Sequence, residues 1–477
     1  MREKIKKIIP KKIFNYLQPL YHFLISFLAA LMYGFPSRHL IIIGITGTAG
    51  KTSTVYLIAK MLAAAGYKTG FTSTTIFSDG NQEKLNDKKM TMPGRFFIQK
   101  MLRRMVKNNC VYVIVETTSE GIKQFRHRFV SYDTLVFTGL YPEHIESHGS
   151  FEKYKKSKGQ LFSHLRRFKN KYINEEHFVS RAKTGLRKLD LTRVKKTIIV
   201  NHDDEHADYF LNFWSEAKML FSLNSNSHPE LRWQELSSEA TVKDLTVVKG
   251  EILNSDSKGI DLKIDNTDIH LSLLGNFNAA NALAAYSVGL NQGLSDSQIK
   301  QGLEGVTSLA GKMELISEGQ DFLAMVDYSF EPKALEKLYQ VISMFSYQRL
   351  IHILGSTGGG RDQARRPVLG RLAATKADIV IITNEDPYDE DPANIINQVA
   401  TGAEMSGKIK DETLFKILDR REAIKKAVEL AKKDDLILIT GKGAEQHICV
   451  AGGHKIPWDD RRELKQAIVD KLCIDKK

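Results

Sequence analysis

The sequence predicts an α/β protein in which a large central domain built on a parallel sheet precedes a smaller, Rossmann-like carboxy-terminal domain. Three observations predict it. Short strand-length runs alternate with helical stretches from Leu40 onward, the runs are apolar throughout, as strands covered on both faces are, and a second such alternation begins near Lys312. Composition agrees: of 477 residues, 42% are hydrophobic and 26% charged, enough to bury large cores and unlike a disordered chain. Lys plus Arg total 69 and Asp plus Glu 56, a net charge of +13 that suits phosphates, carboxylates or an anionic surface without choosing among them. Cys110, Cys449 and Cys473 are widely spaced with no CxxC pattern, which argues against a disulfide framework or zinc module and for a reducing, cytoplasmic setting.

Taken in order, residues 1–38 form a basic and apolar extension. Its first 12 residues carry six Lys or Arg against one Glu, and Asn15 to Ser37 has no formal charge. Pro19, His22 and Ser26 interrupt the apolar run, and no cleavage site for a signal peptide stands out. The preferred reading is a helix lying on an anionic membrane surface at the inner face of the plasma membrane; packing on the next domain and a true span are the alternatives. The central domain is assigned to 39–308, with strands LIIIGIT (40–46), CVYVIVETT (110–118) and TLVFTGL (134–140), a helix at 52–66, a β-hairpin stretch at 241–275 and a helix at 277–290. Residues 309–477 form the second unit, with strand candidates FLAMVDYS, RLIHILGS, ADIVIITN and LILITGKG. The Lys/Arg-rich stretch 163–196 reads as including solvated helix surface.

Between the first strand and its helix stands Thr46-Gly47-Thr48-Ala49-Gly50-Lys51-Thr52-Ser53. Glycines let several N–H groups face one anion at a helix start, Lys51 reaches terminal phosphates and the Thr52 hydroxyl suits Mg²⁺. The strict G-x4-G-K-[ST] spelling fails at Ile45, but the strand-loop-helix context marks a P-loop-type ATPase domain that binds ATP.

TGTxGKTS resembles the variant phosphate loop of the Mur ligases, ATP-dependent enzymes of cell-wall peptide assembly, and the resemblance continues in order. Glu116-Thr117-Thr118-Ser119-Glu120-Gly121, VFTGLYPEHIESHGSFEKYKKSKGQLF (136–162) and LLGNFNAANALAA (273–285) resemble motifs of the family's middle domain. VDYSFEPKALE, GGGRDQARRP, NEDPYDEDP and GKGAEQHICVAGGHKIPWDDRRE resemble its last domain, most like the tripeptide-synthetase branch. The resemblance implies a carboxylate activated as an acyl phosphate and attacked by an amine, with Mg²⁺ as cofactor, a muramoyl-peptide acceptor and a free amino acid as partners, and a monomer as the working unit.

Carried over residue by residue, Lys51, Glu116, His144 and Lys158 are the catalytic set, and Thr52, Glu116, His144 and Lys158 the metal set. Lys158 aligns with a lysine that the family carbamylates, which turns a repelling ammonium into an anionic oxygen ligand. Gly47, Thr48, Gly50, Lys51, Thr52 and Ser53 hold phosphates. Asn278 and Asn281, three apart and so on one helix side, are assigned to the adenine, Asp327 to the ribose, and Lys312 to a nucleotide contact where the family has Arg. Thr91, Ser119, Gln124 and Arg126 are assigned to the acceptor, and Arg361, Glu385, Asp386, Pro387, Tyr388, Gly441 and Glu445 to the amino acid.

The match also departs from the family. Family members place a uridine-binding domain ahead of the phosphate loop, whereas here only the basic, apolar segment precedes it, so either uridine binding is lost or the acceptor is presented differently, for example on a lipid. Tyr388 replaces an Arg that would pair with diaminopimelate, and clustered carboxylates there favour lysine or another diamine. Phe330 and Ala444 replace two family histidines. A nucleotide-binding, membrane-docked scaffold with decayed catalysis is the reading from a different class. A folate ligase is disfavoured by the DDRE-like ending, an amidating subunit by its missing cysteine cluster, and nucleic-acid binding by the lack of any motif.

Overall fold

The computed structural model describes residues 11–142, 148–174, 179–180, 191–224, 245–360 and 363–474. Helix α1 (Lys11–Met32) precedes β1 (Ile41–Thr46) and α2 (Lys51–Ala64). There follow β2 (Thr69–Thr72), β3 (Ile76–Ser78), β4 (Glu83–Leu85), α3 (Arg95–Lys107), β5 (Tyr112–Glu116), α4 (Ser119–Lys123), β6 (Thr134–Phe137) and α5 (Phe151–Leu165). A small sheet joins β7 (Lys171–Ile173), β8 (Val179–Ser180) and β9 (Thr192–Val194). The main sheet then takes up β10 (Thr197–Asn201) and, after α6 (Ala207–Leu211), β11 (Ala217–Ser222), β12 (Leu245–Asp256), β13 (Gly259–Ile264) and β14 (Thr267–Leu271). Its order is β14-β13-β12-β11-β10-β6-β1-β5-β2-β3-β4. The run from β2 to β12 is parallel, and antiparallel strands close both edges.

Alternate residues of β1 explain why its sequence is apolar without interruption. Ile41, Ile43 and Ile45 enter one core with α2 and α7 (Phe277–Asn291), while Ile42 enters the opposite core with Val113, Leu135 and Phe137. Gly44 is required by close approach, since a Cβ there would lie 2.7 Å from the Tyr132 ring. After α8 (Asp296–Glu304) the second sheet begins with β15 (Glu314–Leu315) and β16 (Leu323–Val326), with α9 (Pro332–Ile342), β17 (Leu350–Leu354), α10 (Arg365–Lys376), β18 (Ile379–Thr383), α11 (Pro392–Glu404), β19 (Leu414–Ile417), α12 (Arg420–Leu430) and β20 (Leu436–Ile439). Its order is β15-β16-β20-β17-β18-β19, parallel except for β15, with a core on each face. A hairpin of β21 (His447–Cys449) and β22 (Lys455–Pro457) leads into α13 (Asp460–Ile474).

Three local features stand out. The hairpin stretch is a three-stranded meander, β12 to β14, that widens the main sheet; its first residues, 241–244, lie outside the described set. The 163–196 stretch includes exposed residues, Ser163, Arg166 and Arg167 at the end of α5 and just beyond it, as expected, and buried charge besides: Lys171 and Lys196 are fully buried. Their ammonium groups share the carboxylate of buried Asp133, Lys196 at 2.8 Å, and Lys171 also donates to the Leu40 carbonyl at 2.6 Å. Burial alone would raise the Asp133 pKa, but the two lysines hold it below the usual range. Finally, Asn276 makes no side-chain cap for α7.

Candidate active site

The carboxyl ends of β1, β5 and β6 converge where a parallel sheet presents its ligand crevice. β1 ends at Thr46 and the loop 47–50 turns into α2, with Gly50 left-handed at φ 79°. A Cβ at Gly50 would sit 2.3 Å from Asn281 Oδ1, so both conformation and space demand glycine. Lys51 Nζ donates to the carbonyls of Thr48 at 2.7 Å and Gly47 at 3.1 Å, curling over the loop that would hold phosphates. One residue later, the Thr52 hydroxyl donates to Glu116 Oε2 at 3.0 Å. Glu116 closes β5, is 1% exposed, and also accepts from the Thr74 N–H and hydroxyl, both at 2.8 Å. The Thr74 hydroxyl lies 2.7 Å from that of Thr91.

Lys158 reaches the same loop from α5. It is 1% exposed, its Nζ donates to Gly47 O at 2.7 Å, and it lies 4.6 Å from the Tyr154 ring centre. Tyr154 OH is in turn 3.2 Å from Thr48 Oγ1. Lys158 is therefore no ordinary surface lysine. His144 lies outside the described residues. Among those described, no cluster of three or more His, Cys, Asp or Glu side chains is arranged to hold a metal. Thr52 with Glu116 nevertheless fits a hard cation that draws its other ligands from phosphate oxygens and water.

These groups line a cleft of about 1230 Å³ that continues along Asn278, Asn281, Lys312, Asp327, Tyr328 and Phe330. The two asparagines are bonded inward: Asn281 Nδ2 donates to Asn278 Oδ1 at 2.8 Å, Asn278 Nδ2 to Leu274 O at 2.8 Å, and the Thr54 hydroxyl to Asn281 Oδ1 at 3.2 Å. Asn281 thus braces the end of the phosphate loop and the start of α2, with Asn278 holding it in place. Asp327 accepts from the N–H groups of Met313 at 2.8 Å and Ser329 at 2.7 Å. Lys312 lies over the Tyr328 ring at 4.6 Å, and burial lowers its pKa despite Asp327.

A pocket of about 300 Å³ adjoins this cleft, sharing Thr74, Thr91, Thr118 and Tyr328 with it and adding Lys89, Ser119, Glu120 and Glu445. Beside it four charges alternate. Lys442, fully buried, pairs with Asp386 at 3.0 Å and Glu445 at 2.6 Å; Lys89 pairs with Glu445 at 3.1 Å and with Asp386. Burial works against the charged forms, yet Lys442 and Lys89 hold the Asp386 pKa down and the carboxylates hold that of Lys89 up. Glu385 is different: burial raises its pKa, and its Oε1 takes the Thr357 hydroxyl at 2.6 Å.

Comparison with known proteins decides what this assembly is. Residues 45–195 match the Mur ligase middle domain and residues 311–443 the Mur ligase, glutamate ligase domain. The UDP-N-acetylmuramyl-tripeptide synthetase of Roseiflexus sp. (strain RS-1) is 33% identical over 93% of this chain and 81% of its own length. The chain belongs to the Mur ligase family. The ligase is also 33% identical to the Treponema denticola protein of the same name, over 94% of the chain and 80% of that relative. Fold likeness extends to a diaminopimelate ligase structure titled UDP-N-acetylmuramoyl-L-alanyl-D-glutamate--2,6-diaminopimelate ligase (TM-score 0.55, 24% identity, 91% of this chain and 79% of that one). It extends also to the Mycobacterium tuberculosis folylpolyglutamate synthase (TM-score 0.59, 15% identity, 87% and 91%).

In this Mur ligase the expected residues fall into three groups. Gly47, Thr48, Gly50, Lys51, Thr52, Ser53, Asn278, Asn281, Lys312, Asp327, Glu116 and Lys158 all meet at the cleft or its loop. The acceptor set is tied inward: Ser119 Oγ lies 3.1 Å from His148 Nε2, while Arg126 donates to Gln124 Oε1 at 2.7 Å and to the Met92 carbonyl. In the amino-acid set, Asp386 and Glu445 are paired by lysines, Gly441 packs on the Glu385 carboxylate, Tyr388 lies left-handed at φ 53° against Gly359, the Pro387 carbonyl accepts from Glu390 N at 3.1 Å, and Arg361 lies outside the described residues. Lys89 and Lys442 thus balance two of the clustered carboxylates, Asp386 and Glu445, while Glu385 takes the Thr357 hydroxyl. Motif reading missed Lys89, Thr74, His148 and Lys442; of these, Lys442, inside the GKG motif, and His148, inside the 136–162 stretch, carried a visible signal.

Proposed function

We propose that this ATP-dependent ligase adds a free amino acid to a muramoyl-peptide acceptor, as its relatives' names indicate for them, during assembly of the peptidoglycan precursor. The observation that carries the reading is the convergence of Lys51, Thr52, Glu116 and Lys158 on one phosphate loop, with a smaller polar pocket beside it. An acceptor carboxylate oxygen attacks the γ-phosphorus, the bond to the β-phosphate oxygen breaks, and ADP leaves an acyl phosphate. The incoming amine then attacks the acyl carbon, loses a proton, and expels inorganic phosphate as the amide forms. Lys51 and the loop N–H groups neutralise the transferring phosphoryl. Mg²⁺ held by Thr52 and Glu116 would add charge neutralisation at the phosphates.

Several finer assignments belong to this proposal. Lys158 acts as its carbamate, a form supported by its burial next to the phosphate loop. Asn278, Asn281, Lys312 and Asp327 hold the nucleoside; Thr91, Ser119, Gln124 and Arg126 hold the acceptor; and Glu385, Asp386 and Glu445 hold the amino acid. Residues 39–308 and 309–477 are the two catalytic domains, and the monomer works on the ATP-containing side of the membrane with residues 1–38 against its anionic surface. The acyl-phosphate step is tested with an acceptor labelled with ¹⁸O in its carboxylate: one label passes to inorganic phosphate for each amide formed. Phosphate free of label would exclude the step.

A further inference from the structure

Among the described residues no helix is long and apolar enough to cross a membrane, yet α1 is built inside out. Its buried stripe is small and polar: His22, Ser26, Ala29 and Ala30. The large apolar side chains point away, with Leu20, Leu24, Leu28, Leu31 and Met32 between 48% and 70% exposed. A helix covering a core in water shows the reverse pattern, and a continuous apolar ridge of this kind marks a surface that another phase or partner covers.

Charge identifies the occupant. The first 12 residues carry six Lys or Arg, and α3, which packs against α1, exposes Lys100, Arg103 and Lys107 at spacings that share one helix face. An apolar helix ridge preceded in sequence by six cations and packed beside a helix with a basic face is the combination that seats an interfacial helix in an anionic bilayer. The inner face of α1 ends on the acceptor loop. Ser26 Oγ donates to the Phe125 carbonyl at 2.8 Å, His22 Nδ1 lies 2.6 Å from an Arg95 nitrogen, and the same Arg95 nitrogen donates to the Gln124 carbonyl. Phe27 packs on Phe129 at 5.6 Å between ring centres.

We infer that the outer face of α1 docks on an anionic lipid bilayer and that its inner face, through His22 and Ser26, sets the loop bearing Gln124 and Arg126, so that the acceptor is taken at the membrane surface. The inference rests on the membrane and acceptor readings above and adds the linkage between them. Flotation of the full chain with phosphatidylglycerol-containing and with pure phosphatidylcholine vesicles tests the docking. ADP release with a nucleotide-linked muramoyl dipeptide, with and without vesicles, tests the linkage. The expected results are binding to the anionic vesicles alone, loss of binding in Leu24→Glu/Leu28→Glu, and a several-fold fall in the acceptor KM on vesicles with the ATP KM unchanged. Ser26→Ala keeps vesicle binding and loses the KM response. No vesicle binding, or a dimer in solution that Leu24→Glu/Leu28→Glu dissolves, overturns the lipid assignment. Binding without a KM change overturns the linkage and leaves docking standing. Vesicle binding is read without turnover, so absence of ligase activity is a separate result that bears on the catalytic reading.

Discussion

At the residue scale, the side chains proposed to carry the chemistry come from segments far apart in sequence. Lys158 is the sharpest case, because an ammonium at 2.7 Å from a loop carbonyl and a carbamate near a cation are opposite charges on one stem. Lys158→Ala is expected to lower turnover on the order of 100-fold or more, and under the carbamate proposal formate or acetate restores part of it by standing in for that group. Rescue by neither acid removes the carbamate. Lys89 makes a second test. Lys89→Met leaves Asp386 and Glu445 with Lys442 as their remaining ion-pair partner. The kcat/KM ratio for amino acids with a side-chain amine over those without is expected to rise about tenfold, the effect of one unpaired charge in a partly buried site. Lys89 was not legible in the sequence because it meets Asp386 across 297 positions and belongs to no spaced motif. The clustered carboxylates that suggested a diamine were visible in the sequence, but the lysines that pair with two of them were not.

Elements were more legible where physics is local. A parallel strand buried on both faces reads as an uninterrupted apolar run, so β1, β5, β6, β17, β18 and β20 stand out. β19, with Lys416 in its four residues, and the two-residue β15 do not. The loop before α2 was visible as glycines and a lysine, but its bracing by Asn281 was not, since that contact spans 227 positions. Gly50→Ala combines strain at φ 79° with a clash against Asn281. Left-handed strain alone costs about 1–3 kcal/mol, so nucleotide affinity is expected to drop about tenfold or more by calorimetry. Unchanged affinity would show that the loop relaxes freely.

Over the whole molecule, buried histidines tie stability to pH. His164, against His127 and beneath the Val130 carbonyl, and His352, between Tyr339 and Thr440 hydroxyls, are held by burial at pKa values of about 3; His127 is lowered too. Their folded pKa values lie below the unfolded one, so the unfolded chain binds more protons. The stability they contribute is full above about pH 6.5 and falls as the pH drops, by about 1.4 kcal/mol per unit for each. Melting temperature is expected to decline between pH 6.5 and 5, with a shallower slope in His352→Phe. A slope the variant leaves unchanged would contradict this.

The account stands most directly on ADP release measured across an amino-acid panel with ATP, Mg²⁺ and a muramoyl dipeptide acceptor. It predicts release only when nucleotide, acceptor and one preferred amino acid are all present, one ADP for each new amide, and none with Lys51→Ala. Tight ATP binding with no acceptor-dependent ADP under any combination would contradict it.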